Sequence, residues 1–259
     1  MALSNRYIKL INSLSIRKYR KKHQIFIAEG SKLVLDLINA DMEIESIFAT
    51  QEWIDEKKEI SANISQYINI VNEQEIKKIS KLSSPSSVFA LFKYQHYVLN
   101  GDIFDQKRTI LFCDEIQDPG NLGSLIRSAD WFGIDTIVCT KNSADCYNPK
   151  TIQASMGSIA RVKVFYCEID DFFGILPEEY HVLGAYMEGE DVSKFPFKKE
   201  SVLIIGNEGK GISLGVEKYI NHKISLPQSK SPNKSSQAES LNASVAGSII
   251  LYELSKHLK

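Results

Sequence analysis

Gly206-Asn207-Glu208-Gly209-Lys210-Gly211 is the stretch on which the reading of this chain turns. It follows the apolar run Ser201-Val202-Leu203-Ile204-Ile205, which reads as a buried strand, and precedes Ile212-Ser213-Leu214 and a helical pattern. Three glycines within six residues let backbone amides and carbonyls close on a ligand without Cβ atoms in the way. The spacing fits neither the phosphate loop ending in Gly-Lys-Ser/Thr nor the dinucleotide fingerprint. A tight strand-to-helix connection, with Glu208 placing charge near the helix start, explains one or two glycines. Three beside a carboxylate point to a surface shaped to a ligand.

Around this loop, from Thr109 onward, strand-like and helical patterns alternate. Strands are predicted at 110–113, 136–139, 162–166, 182–185, 202–205 and 223–226, and helices at 122–132, 149–158, 169–176, 215–220 and 241–257. Such alternation predicts an α/β fold with a mostly parallel sheet and helices on both faces. Ligands of such sheets bind beyond the carboxyl ends of the strands, where the glycine loop lies. Residues 1–97 read as a smaller α/β unit, with helices at 4–14, 31–40 and 73–82 and strands at 24–28, 44–50, 68–72 and 88–92. Residues 98–108, with Asn100-Gly101-Asp102, read as a linker, and 109–259 as the second domain. The polar insert Ser229 to Gln237 reads as a mobile loop.

At 259 residues the chain has room for two domains with buried cores. No apolar run is long enough to span a bilayer and the N-terminus lacks an apolar signal region, so a cytoplasmic protein is expected. The four cysteines form no C-x-x-C pair, and Cys113 and Cys139 sit in apolar strand-like runs as small hydrophobes. The five histidines show no ligand spacing, and no metal site is expected. Charge is uneven: residues 1–97 hold 14 Lys and Arg against 11 Asp and Glu, the remainder 17 against 21. That permits a nucleic-acid partner without requiring one.

Two further segments add chemistry. Asp114 to Ala129 leaves the first strand of the second domain, turns at Asp118-Pro119-Gly120 and enters a helix with Asn121 as its cap. A turn and cap explain these residues but not Arg127, which projects from the first helical turns near the strand ends. The second segment is Leu226-Pro227-Gln228, followed after the insert by Glu239-Ser240-Leu241-Asn242-Ala243-Ser244. As structure it is a C-terminal helix capped by Ser240 or Asn242. As chemistry it offers an amide and two hydroxyls at a helix N-terminus.

Together and in this order, the three segments resemble the SpoU (TrmH-like) branch of the SPOUT superfamily, RNA ribose 2′-O-methyltransferases. The matching residues are Asp118, Pro119, Asn121, Gly123 and Arg127; Gly206 to Gly211; and Leu226, Pro227 and Ser240 to Ser244. Asn148-Pro149-Lys150 leading to Ala154-Ser155-Met156-Gly157 is similar to the family's strand-to-helix segment. Residues 1–97, with Phe26-Ile27-Ala28-Glu29-Gly30, look similar to the L30e-like substrate-binding domain of many members.

The resemblance implies a C-terminal SPOUT-type α/β domain with a deep trefoil knot, an arrangement that general topological rules would reject. It implies an obligate homodimer and the cofactor S-adenosylmethionine, cradled by backbone around Ala185, Gly206, Leu226 and Leu241, with Gly209 and Gly211 of the loop. By the same resemblance Asn121, Arg127, Glu208, Ser240 and Asn242 form the reaction site. Arg127 would act on a ribose bound mainly by the partner subunit. Arg127 is the family's usual candidate base, yet a guanidinium stays protonated, which favours stabilisation of a developing alkoxide and phosphate positioning.

One departure stands out: the family's short, glycine-containing stretch before Ser-Leu-Asn is here the longer, glycine-free Gln228 to Glu239. It falls at the rim of the implied adenine pocket. The basic residues Arg17, Lys18, Arg20, Lys21 and Lys22 read either as a solvated helix end or as phosphate contacts to ribosomal or transfer RNA, the better fit in a substrate-binding domain. The competing reading is an RNA-binding ribosome-assembly factor with a degenerate cofactor pocket, which the insert favours and the retained polar residues oppose.

Overall fold

The computed structural model describes residues 3–106, 108–229 and 239–257. In chain order the elements are α1 (Asn5–Ser13), α2 (Arg17–His23), β1 (Ile25–Glu29), α3 (Ser31–Asn39), β2 (Ile44–Ala49), α4 (Gln51–Glu56), α5 (Lys58–Asn63), β3 (Ile68–Ile70), α6 (Glu73–Lys77) and β4 (Val88–Lys93). Then follow β5 (Ile110–Cys113), α7 (Pro119–Trp131), β6 (Thr136–Thr140), α8 (Pro149–Ser155), β7 (Lys163–Cys167), α9 (Ile169–Phe173), β8 (His181–Tyr186), β9 (Glu190–Asp191), β10 (Ser201–Ile205), α10 (Leu214–Glu217), β11 (His222–Ser225) and α11 (Ala243–Ser255). Contacts divide the chain into two compact units, Met1–His96 with Asp145–Ala160, and Tyr97–Ala144 with Arg161–Lys259.

The first unit is built on a four-stranded sheet in the order β1-β4-β2-β3, with β4 antiparallel to both neighbours and β2 parallel to β3. Alternation sorts the strand residues by face. Ile25, Ile27, Phe89 and Leu91 join Ile11 and Leu14 of the α1 segment in one core. Phe26 lies on the other face and stacks on Tyr147 at 4.9 Å, and Tyr147 stacks on Tyr94 at 3.9 Å. Residues 145–160, which the sequence pattern groups with the second domain, therefore pack in the first unit. Arg20 adds to this packing: it is 1% exposed, its Nη2 and Nε meet Asp145 Oδ2 at 2.7 and 3.1 Å, and its Nη1 donates to the Leu14 and Ser15 carbonyls.

Several helices are shorter than their sequence patterns. The 73–82 pattern forms a helix only over Glu73–Lys77, started by a reciprocal cap between Asn72 and Glu75. The 149–158 pattern stops at Ser155 because Met156 and Gly157 both turn left-handed, at φ 49° and 86°. Residues 51–63, for which the sequence suggested no element, hold α4 and α5, with Thr50 accepting from the Trp53 amide.

The second unit carries a seven-stranded sheet in the order β7-β6-β5-β10-β8-β11-β9, every pairing parallel. The two-residue strand β9 has no sequence signal. One sheet face, with Ile110, Phe112, Val138, Val202 and Ile204, packs on Phe172 and Phe173 of α9 and Val216 of α10. On the other face Ile205 lies against α11 at Gly247, where Leu125 of α7 also approaches. Helices thus cover both faces. Because β5 and β10 are neighbours with Cys113 opposite Ile205, the segments leaving them, 114–121 and 206–213, emerge side by side. Of the insert Ser229–Gln237, all but Ser229 lies outside the described residues. Among the described residues no helix is long and apolar enough to cross a membrane.

Candidate active site

Helix α7 begins at Pro119, with Asp118 rather than Asn121 as its cap: Asp118 Oδ1 accepts from the amides of Gly120 and Asn121 at 2.7 and 3.0 Å. Proline suits the first helical position and fixes the start three residues earlier than its pattern indicated. That frees the Asn121 side chain, which is 9% exposed. Its Nδ2 donates to Glu208 Oε1 at 2.8 Å, and its Oδ1 accepts from Asn242 Nδ2 at 2.9 Å. Asn242 in turn caps α11 through Oδ1, accepting from the amides of Ser244 and Val245. The Ser244 hydroxyl lies 2.7 Å from Asn242 Oδ1 and 3.3 Å from Asn121 Oδ1.

One directional chain of hydrogen bonds thus joins all three sequence segments. A carboxylate can only accept, so the Asn121 amide nitrogen must face Glu208. Its oxygen must then face Asn242, whose own oxygen caps the helix. Glu208 is held from the other side by the Gln117 and Asp118 amides, each at 3.1 Å.

The glycine loop closes as a turn, with Asn207 and Gly211 exchanging both backbone hydrogen bonds at 2.9 Å. Asn207 Oδ1 accepts from the Gly209 and Lys210 amides, and its Nδ2 donates to the Glu115 carbonyl at 2.8 Å. The glycines have different reasons. A Cβ on Gly206 would lie 2.4 Å from the Gly211 carbonyl carbon and 2.5 Å from the Ile212 nitrogen, both backbone. Gly211 sits at φ 72°, in the left-handed region. A Cβ on Gly209 would meet only Asn207 Oδ1, at 3.7 Å. Gly206→Ala is therefore expected to force the turn open and lower the melting temperature by several degrees, whereas Gly209→Ala leaves it within about 1 °C. A melting curve of each variant checks this, and an unshifted Gly206→Ala would contradict it.

The loop forms one wall of a cleft of about 680 Å³. Ala185, Gly206, Gly209, Gly211, Leu226 and Leu241 all line it, as do Glu208 and Ser240. Apolar residues outnumber the polar and charged ones in the lining, and the volume falls within the range of small-molecule sites, roughly 300–1,000 Å³. Asn121 and Asn242 stand behind this lining, joined to it through Glu208.

Electrostatics follow from the contacts. Burial works against charge on Glu208, but the hydrogen bond from Asn121 and the backbone amides of Gln117 and Asp118 hold its carboxyl below the ordinary glutamate value. Asp114, fully buried at the end of β5, goes the other way. Burial raises it, against the Ser213 amide that donates to Oδ2 at 2.7 Å. Asp114 thereby ties the far end of the glycine loop to the strand from which the Asn121 segment leaves.

Arg127 is exposed on α7 and, among the described residues, its side chain has no hydrogen bond or ion pair within its own chain. It does not join the Glu208–Asn121–Asn242 network. Of the basic residues in α2, Arg17, Lys18, Lys21 and Lys22 are exposed. Arg20 departs from the RNA-contact expectation, because its guanidinium is buried and committed to Asp145 and two carbonyls. The four cysteines are free and buried, and among the described residues no cluster of His, Cys, Asp or Glu could hold a metal ion.

Sequence reasoning gave no site role of their own to Gln117, Asn207 and Asp114. For Asn207 a signal existed, since an amide between glycines can only serve the turn or a ligand. Gln117 acts through its backbone, which leaves no trace in residue type.

Known proteins are similar to this chain in sequence and in fold. Over 252 residues the chain is 28% identical to the 23S rRNA (guanosine(2553)-2'-O)-methyltransferase RlmP of Bacillus subtilis, covering 96% of each protein. It is 33% identical over 152 residues, 56% of this chain and 50% of the relative, to the 23S rRNA (uridine(2479)-2'-O)-methyltransferase of Streptomyces viridochromogenes. An AdoMet-bound rRNA methyltransferase structure from Sinorhizobium meliloti superposes with a TM-score of 0.87 at 27% identity, covering 100% of this chain and 98% of that one. Residues 5–90 match the profile of the MRM3-like substrate binding domain. Residues 108–252, which contain the whole hydrogen-bond network and the cleft beside it, match the profile of the SpoU rRNA Methylase family, and the chain belongs to that family.

Proposed function

We propose that this protein transfers a methyl group from S-adenosylmethionine to a ribose 2′-hydroxyl of ribosomal RNA, in the cytoplasm. The observation that carries this reading is the polar network of Asn121, Glu208 and Asn242 set directly behind a glycine-walled cleft. The cleft fits the cofactor: its size is right, its wall comes within contact distance of backbone only because Gly206 has no Cβ, and its lining offers apolar side chains for an adenine. Backbone around Ala185, Gly206, Leu226 and Leu241 would hold the cofactor, and Ser240 stands on the same rim. Bound there, the cofactor supplies an already activated methyl group.

The chain's own residues then have to position the sugar oxygen and compensate its charge as the proton departs. Glu208 and Asn121 hold the two loops in fixed register beside the cleft. Arg127 cannot accept a proton, so its part is to hold phosphate and stabilise the alkoxide. Arg127 lies outside the network of its own chain, which supports its acting on the site of a second subunit. A homodimer is supported also by a second apolar stripe on α11, where Val245, Ile249 and Tyr252 remain exposed near Phe132, with Trp131 83% exposed at the end of α7. The adjacency of β5 and β10 with the bonded loops 114–121 and 206–213 supports the knotted crossing known in the family. We assign residues 1–97 as an L30e-like RNA-binding domain, 98–108 as linker and 109–259 as the methyltransferase domain, a division supported by the two matched profiles, with 145–160 packing in the first unit.

Transfer of labelled methyl from S-adenosylmethionine to protein-free ribosomal RNA, with mapping of 2′-O-methyl sites, tests the reading. Arg127→Ala is expected to lower transfer at least about 10²-fold with cofactor affinity by calorimetry within twofold. Mixing it with Glu208→Ala protein is expected to restore part of the activity, since each mixed dimer retains one intact site. Parallel loss of cofactor affinity, or no restoration, would overturn the role given to Arg127. Absence of cofactor binding by the wild-type chain would favour an RNA-binding assembly factor.

A further inference from the structure

We propose that Lys210 is the anion-holding residue of the cleft, its ammonium binding an anionic oxygen group of the reactants. The chemistry is shared by two sources, the carboxylate of the cofactor's amino-acid tail and a phosphate flanking the target ribose. The inference rests on the methyltransferase reading and names a residue that fixes where a reactant sits.

The loop's construction is the first support. Lys210 occupies the tip of the turn closed by Asn207 and Gly211, its amide held by Asn207 Oδ1 at 2.9 Å. Asn207 is itself anchored to the Glu115 carbonyl. The backbone from which the lysine projects is therefore fixed, and the turn forms part of the cleft wall. A charge carried on a fixed base loses less freedom when it engages a ligand than one on a mobile loop.

Charge is the second. The ionised side chains lining the cleft are Glu208, Lys210 and Glu239, so Lys210 is the one cation in the described lining. Glu208 is not paired with it: the carboxylate accepts from Asn121 and the Gln117 and Asp118 amides, and among the described residues no ion pair joins it to Lys210. Four other lysines of this unit are paired, Lys141 to Glu168, Lys218 to Asp170, Lys223 to Glu217 and Lys256 to Glu253, while Lys163, Lys194, Lys198 and Lys199, also without an ion pair among the described residues, do not line the cleft. Among the described residues the Lys210 ammonium has no such partner. Both reactants of the proposed reaction carry anionic oxygens, and a lysine serves these as a point charge without demanding bidentate geometry.

The test uses the full chain with Lys210→Gln and Lys210→Arg, whose exposed side chains leave the turn's backbone bonds intact. Calorimetry is run with S-adenosylmethionine and with 5′-methylthioadenosine, which lacks the amino-acid tail. Binding of protein-free 23S ribosomal RNA is measured over a salt series. A carboxylate contact predicts that Lys210→Gln weakens S-adenosylmethionine about tenfold, leaves 5′-methylthioadenosine unchanged, and is rescued by arginine. A phosphate contact predicts unchanged cofactor affinity, with RNA binding weakened about tenfold and the log–log salt slope reduced by about 1. Wild-type values in every measurement would overturn the assignment. A wild-type chain that binds neither cofactor nor RNA overturns the methyltransferase reading itself, and shows this before any variant is made.

Discussion

Glu208→Ala is expected to lower methyl transfer by about 10²-fold or more and to reduce unfolding stability by about 1–3 kcal/mol. Two effects combine. The Asn121 amide, buried at 9% exposure, loses its acceptor, and the Gln117 and Asp118 amides lose theirs. A buried donor without a partner costs more than the hydrogen bond contributed, and a directional chain loses its order when one end is removed. Asn121 is then free to turn, and with it the hold on Asn242 and the start of α11. Steady-state transfer assays and urea unfolding read the two quantities, and a variant stable and active as wild type would refute the network's role. Glu208→Gln separates charge from shape.

The pH dependence has a definite sign. The native carboxyl lies below its ordinary value, so it contributes stability above the unfolded glutamate pKa, roughly 4.3. That contribution disappears as pH falls through the lower native value. Glu208→Gln should flatten this acidic limb and leave the curve above pH 6 parallel to wild type.

Asp145→Ala is expected to have the largest effect on stability, about 3–5 kcal/mol, because it strands a buried charge. Arg20 is 1% exposed, and without Asp145 its guanidinium keeps only the Leu14 and Ser15 carbonyls. Arg20→Met keeps the aliphatic stem and strands instead the less buried partner, Asp145 at 9% exposed, which still accepts from the Tyr147 amide, so it should cost less than Asp145→Ala even though both break the same pair. Trp53 offers a local reporter for urea unfolding, being 1% exposed in the first unit. Equal costs for the two variants would show that lost pairing, not stranded charge, dominates.

Much of the second unit was legible because its signals are local. Apolar runs bounded by turn residues give strands, and the order of three short segments points to the family. The hydrogen-bonding partners were not legible. Nothing in the residue types says that Asn121 leaves the cap to Asp118 and turns to Glu208, 87 residues away. Nor does a basic run such as 17–22 disclose that one of its members is buried. Arg20 looks like Lys21 until Asp145, 125 residues later, is brought beside it. Helix ends failed where a backbone conformation overrode an apolar period, as at Met156 and Gly157, where a Cβ on the glycine would lie 2.7 Å from Asp36 Cβ.

The polypeptide leaves the first unit at residue 96, comes back to it for residues 145–160, and departs again. Chimaeras that graft a foreign head onto this catalytic half at a single junction near residue 97 would present α8 and Tyr147 to a mismatched host and leave any inherited Arg20 without its acid. Exchange of substrate specificity between relatives should therefore succeed only when the recombined piece carries 145–160 along with 1–96, so that the two stretches are inherited as one interrupted module.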